Sequence, residues 1–243
     1  MAERKDMGPR ESWVETTASA LDAGQAPTAR RPARAGGRAR GTRGRILNAA
    51  ASLFRERHFD RTAMQDIAAA VGVTKASLYH HLPGKQALLY EIIQHTVGRA
   101  LPELERIADL PLSATERLRQ AVRLHVQILV HDRDNVGCTM EEWRSLHPKY
   151  HAAGVAGRDR YETLFRRIIE DGIRSGEFAP TDVQLARLAV LGMCNWMIRW
   201  YRPEGRCSAE EIGVQFGEYA IAMLRDIRAP ETAVSAAADT PSR

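Results

Sequence analysis

The chain has 243 residues and a formal net charge of +5 at pH 7, with 44% hydrophobic and 6% aromatic residues. This length allows one large or two modest domains with a hydrophobic core, and no apolar run approaches the ~18 residues that a membrane span needs. The three cysteines, Cys138, Cys194 and Cys207, are scattered, which argues against a disulfide framework and for a reducing compartment. We therefore expect a cytoplasmic protein without a membrane segment or signal peptide.

The positive charge is concentrated near the N-terminus. Residues 30–45 hold seven arginines and no acidic residue, so this segment carries +7 and the remainder of the chain nets about −2. Residues 1–40 show little hydrophobic periodicity, and we predict a disordered basic arm there. A basic arm beside a near-neutral body favours a polyanionic partner such as DNA. A solvated tail with no partner is the alternative.

An amphipathic helix is predicted from about Arg43 to Arg57, because apolar residues recur there at helical spacing. These residues are Ile46, Ala49, Ala50, Leu53 and Phe54. The helix is followed by a connector in which Phe59 is expected to pack beneath the next two helices. This first helix would support a three-helix DNA-binding unit.

Two short helices joined by a tight turn come next. Thr62 and Gln65 have the spacing of a capping box, so the first of these helices is predicted to open at Thr62. Gly72 tolerates a positive φ and allows the turn, and Thr74 is placed to cap the second helix. Leu78 is expected to point inward. The side chains expected to face outward are Lys75, Ala76, Tyr79 and His80. This pattern is the helix-turn-helix, whose second helix enters the major groove of DNA.

The remaining helices are predicted from caps and apolar stripes. A helix beginning at Lys85 runs to about Ala100, and Pro102 is expected to kink or end it. Further capping boxes are predicted at Ser113–Glu116, Thr181–Gln184 and Ser208–Glu211. There is no strand alternation and no internal repeat. The sequence therefore predicts an all-α protein of about nine helices.

Residues 62–89 closely resemble the DNA-binding domain of the TetR family of bacterial transcriptional regulators. The residues that carry the resemblance are Thr62, Ile67, Ala68, Gly72, Val73, Thr74, Leu78, Tyr79, His81, Lys85 and Leu89. Two positions depart from the family pattern: Ala76 stands where glycine is common, and Leu82 stands where an aromatic residue is usual. The resemblance implies a homodimer that binds a palindromic DNA operator and releases it when a small molecule enters the C-terminal domain.

Composition and the resemblance together predict a division of the chain. The predicted parts are a disordered basic arm at 1–40, a helix-turn-helix domain at 41–86, an effector-binding and dimerisation domain at 87–228 and a disordered tail at 229–243. The long final helix, beside a helix that contains Gly192, resembles a four-helix dimer interface.

DNA contacts are expected from the second helix of the helix-turn-helix and from its flanks. Lys75 can donate to guanine and Ala76 can meet a thymine methyl. By the family pattern, phosphate contacts are expected from Thr62, Tyr79 and Lys85, with the helix N-terminus at Thr74 as a further candidate. Arg43 and Arg45 can reach the DNA backbone or the minor groove. The full candidate set is Arg43, Arg45, Thr62, Thr74, Lys75, Ala76, Ser77, Tyr79, His80 and Lys85.

The C-terminal half has the aromatic and apolar residues that an effector pocket needs. The candidate pocket residues are His125, Ile128, Met140, Trp143, Tyr161, Phe165, Trp196, Arg199 and Arg202. The two arginines can bind an anionic group. Residues 199–203, with Gly205, resemble the subgroup of the family that controls lipid or sterol breakdown, which implies an acyl-CoA thioester as effector. For any single residue, a core or solvated role is the alternative.

A metal-responsive regulator is a second possibility that the histidines raise. His147 and His151 are four residues apart, but Pro148 interrupts the helix that joint ligation would need. His125, His131 and Cys138 are nearby in sequence, yet there is no Cys-x-x-Cys motif. We therefore predict no metal site and no cofactor.

Two other classes compete with a specific regulator. An enzyme is not expected, because the chain has no GxxxxGK[ST], GxSxG, HExxH or dinucleotide-binding motif. A sequence-independent, nucleoid-type DNA-binding protein is favoured by the arginine-rich arm. It differs from a repressor by binding all DNA sequences about equally.

Overall fold

The computed structural model describes residues 35–226, without the side chains of residues 35–40 and of His81. The predicted tail at 229–243 and most of the predicted arm lie outside the described residues. Contacts divide the chain into residues 1–38 and residues 39–243. Of the first unit only residues 35–38 are described, and they belong to a helix. Within the described part of the chain, no helix is long and apolar enough to cross a membrane.

The regular structure of residues 35–226 is entirely helical. In chain order the α-helices are α1 Ala35–Arg57, α2 Met64–Val71, α3 Lys75–His81, α4 Lys85–Ala108, α5 Ala114–His131, α6 Arg133–Glu142, α7 Pro148–Arg174, α8 Val183–Asn195, α9 Met197–Trp200 and α10 Ala209–Asp226. A short 3-10 helix, Trp143–Ser145, lies between α6 and α7. Over this range nine helices have seven residues or more, so the predicted all-α class and approximate helix count are confirmed.

Two helices extend further than the sequence suggested. Helix α1 begins at Ala35, so residues 35–40 of the predicted arm are helical instead of disordered. Helix α4 contains Pro102 and continues to Ala108, so the proline does not end it. A proline removes only one backbone donor, and the apolar face of α4 remains buried beyond it at Leu104 and Ile107. Tertiary packing therefore outweighs this local helix-breaking signal.

The capping box at the start of α10 is confirmed. The Ser208 backbone N–H donates to the Glu211 carboxylate at 2.7 Å, and the Glu211 N–H donates to the Ser208 hydroxyl at 3.2 Å. The box predicted before α8 is wrong by one residue. Asp182, and not Thr181, is the N-cap, and its carboxylate accepts from the backbone N–H groups of Gln184 and Leu185.

The start of α5 is capped by two separate parts of the chain. Ser113 accepts from the Glu116 N–H as predicted, at 3.2 Å, but the Glu116 carboxylate binds Gln120 and does not complete the box. Glu177 caps the helix further by accepting from the N–H groups of Ala114 and Thr115, at 3.0 and 2.9 Å. Although burial raises the pKa of Glu177, these hydrogen bonds lower it to about 2. The loop after α7 is thereby tied to the N-terminus of α5.

Buried side chains form two clusters. One lies among α1–α4, where Phe54 and Phe59 pack edge to face with ring centroids 5.1 Å apart, which confirms that Phe59 packs inward. The other lies among α4–α10 around the fully buried Phe165. Cys138 of α6 and Leu146 belong to the first cluster, although they come from the C-terminal half. The helices of the helix-turn-helix unit therefore share part of their core with α6.

Candidate DNA-binding surface and effector cavity

The turn between α2 and α3 has the geometry that the sequence predicts. Gly72 adopts φ 74°, in the left-handed region that favours glycine, and Val73 donates to the Ala68 carbonyl at 3.0 Å. The Thr74 hydroxyl accepts from the Ser77 N–H at 3.1 Å and caps α3. These local bonds fix the direction in which α3 leaves the turn.

Helix α3 presents one polar and accessible face. Leu78 is fully buried, and Lys75, Ala76, Tyr79 and His80 are exposed, as predicted. The Lys75 ammonium lies 5.9 Å from the centroid of the Tyr79 ring, and Tyr79 is 44% exposed. An ammonium, a methyl group and a phenol therefore share the face that a recognition helix turns toward base edges.

Thr62 does not cap α2, which corrects the predicted capping box. The N-cap is Ala63, whose backbone N–H donates to the Asp66 carboxylate at 2.9 Å. The Thr62 hydroxyl lies 3.0 Å from the His58 carbonyl and 3.3 Å from that of Leu53, and the residue is 2% exposed. It holds the connector to the end of α1. This buried arrangement favours a structural role for Thr62 over the phosphate contact that the family pattern implies.

Lys85 uses its ammonium within the fold. Its Nζ donates to the Phe59 carbonyl at 2.8 Å and lies 3.4 Å from the Asp60 carbonyl. The same Nζ is 4.3 Å from the centroid of the Phe59 ring. The first turn of α4 is thus fastened to the connector between α1 and α2. A structural role is again favoured over the expected phosphate contact.

The arginines at the start of the helix-turn-helix unit also have partners. Arg43 pairs with Glu91 of α4 at 2.5 Å, and Arg45 donates to the Val71 carbonyl at the end of α2 at 2.9 Å. Both arginines are exposed. They join α1 to its neighbours and remain at the surface, where a phosphate can compete for their guanidinium groups.

A cavity of about 300 Å³ lies among α4, α5, α6, α7 and α8. It brings together five of the nine residues predicted for an effector pocket: His125, Ile128, Met140, Trp143 and Tyr161. The other lining residues are Thr96, Val97, Ala100, Leu129, Val136, Thr139, Arg158, Glu162, Leu191 and Asn195. Most of the lining is apolar, as in most small-molecule sites.

A hydrogen-bonded triad forms one part of this wall. His125 Nδ1 lies 2.9 Å from the Tyr161 hydroxyl, and His125 Nε2 lies 3.0 Å from the Asn195 side-chain oxygen. Burial lowers the pKa of His125 to about 4 and raises that of Tyr161, so both side chains are uncharged at pH 7. The triad therefore gives the cavity one polar patch that carries no charge.

The other predicted pocket residues lie elsewhere, which corrects their joint assignment. Phe165 is fully buried and packs against the rings of His125 and Tyr161, at centroid distances of 6.0 and 5.6 Å. Trp196 and Arg199 line an adjoining cavity of about 300 Å³, which shares the wall residues Met140 and Asn195 with the first. Arg202 lines a third, of about 580 Å³, against α10. Trp196, Arg199 and Arg202 are close in sequence but line different cavities from His125 and Tyr161, because α8 ends at Asn195 and the chain turns after it.

Asn195, Arg158 and Glu162 line the cavity and were not predicted. Arg158 pairs with Glu162 at 3.5 Å, and its guanidinium carbon lies 4.8 Å from the centroid of the Trp143 ring. Both charged side chains are partly exposed. They lie at the cavity wall next to solvent. Helical spacing gives no signal for such residues, since their role comes from contacts between different helices.

Helix α6 connects the cavity wall to the helix-turn-helix unit. Val136 and Thr139 line the cavity. On the same helix, the Asn135 amide donates to Asn48 of α1 at 2.8 Å, and Asp134 forms an ion pair with Arg55 of α1. A change in the cavity that moves α6 would therefore move these contacts as well.

The histidines considered for metal binding have other partners. His147 accepts from the Lys149 N–H at the start of α7, and His131 bonds the carbonyl of Gln127 in its own helix. His125 belongs to the triad. Among the described residues, no group of three or more His, Cys, Asp or Glu side chains is arranged to hold a metal ion.

Family models match two stretches that together span most of the described helices. Residues 46–92 match the model described as bacterial regulatory proteins, tetR family, and residues 111–224 match that of the tetracyclin repressor-like C-terminal domain. The crystal structure of PfmR, a TetR family transcriptional regulator from Thermus thermophilus, is 35% identical with a TM-score of 0.68. It covers 76% of this chain and 100% of PfmR. The chain belongs to the TetR family. It is a DNA-binding transcriptional regulator and not an enzyme.

Two further relatives of this TetR-family chain have more specific descriptions. The transcriptional repressor KstR2 of Mycobacterium tuberculosis is 26% identical over 185 residues, which is 75% of this chain and 92% of KstR2. The crystal structure of AibR, in complex with isovaleryl coenzyme A and operator DNA, is 29% identical with a TM-score of 0.66. That alignment covers 75% of this chain and 97% of AibR.

Proposed function

We propose that this TetR-family regulator acts in the cytoplasm as a homodimeric repressor that binds a palindromic operator. A small molecule, and specifically an acyl-CoA thioester, enters the cavity among α4–α8 and releases the protein from DNA. The observation that carries the proposal is the pairing of an exposed recognition face on α3 with a cavity whose wall includes α6.

DNA reading is assigned to α3. Lys75 offers an ammonium donor for guanine, and Ala76 offers a methyl-sized contact for thymine. Tyr79 and the N-terminus of α3 at Thr74 and Ser77 are available to phosphates, as are the exposed Arg43 and Arg45. His80 lies on the same exposed face. Phosphate contacts set the register and base contacts set the sequence, so both groups are needed for one preferred operator.

A second copy of the chain is the proposed occupant of the exposed apolar face of α8 and α10. Large apolar side chains are left exposed on these helices, namely Leu185 at 64%, Leu188 at 50%, Val214 at 41% and Tyr219 at 54%, and Trp196, which directly follows α8, is 65% exposed. A folded monomer rarely exposes so many neighbouring apolar groups. Pairing two copies through α8 and α10 makes a four-helix interface with twofold symmetry. Two recognition helices about 34–36 Å apart would then meet successive major grooves.

The lining of the cavity and one relative of known structure support a thioester as the effector. The cavity is mostly apolar with an uncharged polar patch, which suits an acyl chain and its carbonyl group. AibR, a relative with this fold, was crystallised in complex with isovaleryl coenzyme A and operator DNA. The third cavity, with Arg202 and Arg206, borders the proposed dimer face and offers positive charge to a phosphate.

Release is proposed to pass through α6 as well as α4. Helix α4 joins the two parts directly, because it begins at Lys85 beside the helix-turn-helix unit and carries the cavity residues Thr96, Val97 and Ala100. Helix α6 adds a second path, because Asn135 contacts Asn48 of α1 directly. Ligand binding that shifts both helices changes the spacing of the two recognition helices and thus the affinity for DNA.

Selection of DNA from a random pool tests the proposal. Purified full-length protein should enrich one palindrome, and the enriched sequence should bind at least about 1000-fold more tightly than scrambled DNA at physiological salt. Enrichment without any common sequence would contradict the proposal and favour a nucleoid-type protein. Release of the selected DNA by a divalent metal alone, and by no thioester, would favour the metal-responsive alternative.

A further inference from the structure

We infer that the cavity recognises an uncharged carbonyl or hydroxyl group on an apolar ligand, and that Tyr161, His125 and Asn195 read this group. The inference rests on the proposed effector role of the cavity and adds the chemical class that it accepts. A ligand of the same chain length that ends in a free carboxylate should bind more weakly.

The orientation of the Asn195 amide sets the direction of the hydrogen bonds in the triad. The Asn195 side-chain oxygen can only accept, so His125 Nε2 carries the proton and donates to it across 3.0 Å. A neutral imidazole then has an acceptor at Nδ1, and Tyr161 donates its hydroxyl proton to that atom across 2.9 Å. Each group thereby orients the next.

This direction determines what the triad can offer a ligand. The Tyr161 oxygen keeps a lone pair that can accept from a ligand hydroxyl. The Asn195 amide nitrogen carries two N–H donors that can bind a ligand carbonyl. Both residues line the cavity. The wall therefore combines a fixed acceptor with fixed donors, which is the pattern that distinguishes carbonyl and hydroxyl ligands from hydrocarbons.

The charges around the cavity argue against an anionic group at the triad. Among the lining residues that the structure describes, only Arg158 and Glu162 are charged, and they pair with each other at 3.5 Å. Glu162 also pairs with Arg187, which is 5% exposed. A carboxylate placed beside the triad would lose its hydration without gaining an unpaired cation. A thioester, amide, ketone or alcohol has no such penalty.

The size of the cavity sets a limit on the apolar part. About 300 Å³ is at the lower end of the range for small-molecule sites, so the enclosed group is compact. The fully buried Phe165 packs against the triad from the core side, which keeps the polar wall in place. A short or medium acyl chain fits this description, with the remainder of its molecule outside.

Calorimetric titration with a matched series tests the inference. The probes are hexanoate, hexanamide, 1-hexanol and S-hexanoyl-N-acetylcysteamine, which share one chain length and differ in the polar group. We expect the wild-type protein to bind at least one uncharged probe about tenfold or more tightly than hexanoate at pH 7.5. Tyr161→Phe should weaken 1-hexanol about tenfold, because the ligand hydroxyl loses its acceptor, and Asn195→Ala should weaken hexanamide and the thioester about tenfold, because the ligand carbonyl loses its donors. Both variants should change hexanoate little.

Tyr150→Phe is the matched control, because it removes the same hydroxyl from a partly buried tyrosine of α7 that does not line the cavity. It should leave all four dissociation constants unchanged. Tighter binding of hexanoate, no binding of any probe, or equal binding by wild type and both variants would overturn the inference. Specific operator binding with release by an acyl-CoA thioester would then leave the proposed function intact.

Discussion

Glu142 of α6 accepts a hydrogen bond from the Phe59 backbone N–H at 3.1 Å. The same oxygen lies 3.4 Å from His58 Nδ1, and the other carboxylate oxygen accepts from the Ser145 hydroxyl at 2.9 Å. Glu142 is 6% exposed, so this carboxylate is buried and depends on these partners. The connector between α1 and α2 is therefore joined to a helix that also lines the effector cavity.

Glu142→Ala should destabilise the protein by about 1–3 kcal/mol, because the Phe59 N–H loses a buried acceptor. Thermal unfolding followed by circular dichroism measures this loss. Glu141→Ala is the control, since Glu141 is exposed and pairs only loosely with Arg199, at 3.8 Å. Equal melting temperatures for the two variants would show that the Glu142 bond adds no stability.

Lys85→Ala should also lower stability, by about 1–3 kcal/mol, because the ammonium binds the Phe59 carbonyl and covers its ring. Lys149→Ala removes a lysine that lies 4.7 Å from the Tyr150 ring at an exposed position and should change stability little. Denaturant unfolding compares the two. If Lys85→Ala keeps full stability and only loses affinity for all DNA, then its role is the phosphate contact that the family pattern implies.

Lys75→Ala should cost about 1–3 kcal/mol in affinity for the selected operator and relax the preference at one base pair. The ammonium is exposed on α3, so the fold should be unaffected. Fluorescence anisotropy with the operator and with single-base variants measures both effects. A loss of the same size on every DNA sequence would mean that Lys75 contacts phosphate and does not read a base.

Acid should weaken the fold through His125. Its pKa in the folded protein is about 4, below the ordinary value of 6.5, because burial disfavours the charged ring. Between these two pH values the unfolded chain binds more protons, so stability falls as the pH drops from 6.5 to 4, by about 1–3 kcal/mol. His125→Gln lacks this titration. Urea unfolding at neutral pH and at a pH midway between the two pKa values measures the change in the free energy of unfolding. This free energy should fall less for the variant than for wild type. Equal falls in both proteins would contradict the assignment of the pH dependence to His125.

Leu188→Glu should dissociate the proposed dimer. The leucine is 50% exposed on α8, and a carboxylate placed within the interface would raise the dimer dissociation constant about 100-fold or more. Leu112→Glu is the control, because Leu112 is 42% exposed between α4 and α5, outside the apolar face of α8 and α10. Analytical ultracentrifugation should find a monomer for the first variant and a dimer for the second. A dimer in both cases would place the interface elsewhere.

The local elements of the fold were predictable because their signals lie within a few residues. Gly72, Thr74 and the Ser208–Glu211 pair act on neighbouring backbone groups, and each has the predicted geometry. The errors at Thr62 and Thr181 are one-residue errors. In each case the next residue is the N-cap. The Thr62 hydroxyl instead donates to a backbone carbonyl of the preceding connector.

The effector site was only partly predictable because it is assembled from distant residues. His125, Tyr161 and Asn195 come from three helices, and hydrophobic spacing identified the first two as candidates without their hydrogen bonds. Asn195 gave no signal, since a single asparagine near the end of a helix has many roles. For Lys85 the sequence supplied the charge but not its partner, which the fold provides at Phe59.

The central claim is that a ligand in the cavity among α4–α8 reduces affinity for the operator. The most direct measurement is the anisotropy of the selected operator with the full-length protein, titrated with isovaleryl-CoA and hexanoyl-CoA, with free coenzyme A and hexanoate as controls. We predict that at least one thioester weakens operator binding about tenfold or more and that Asn195→Ala, which removes the donors for the thioester carbonyl, reduces this effect. Unchanged operator affinity with both thioesters would contradict the claim.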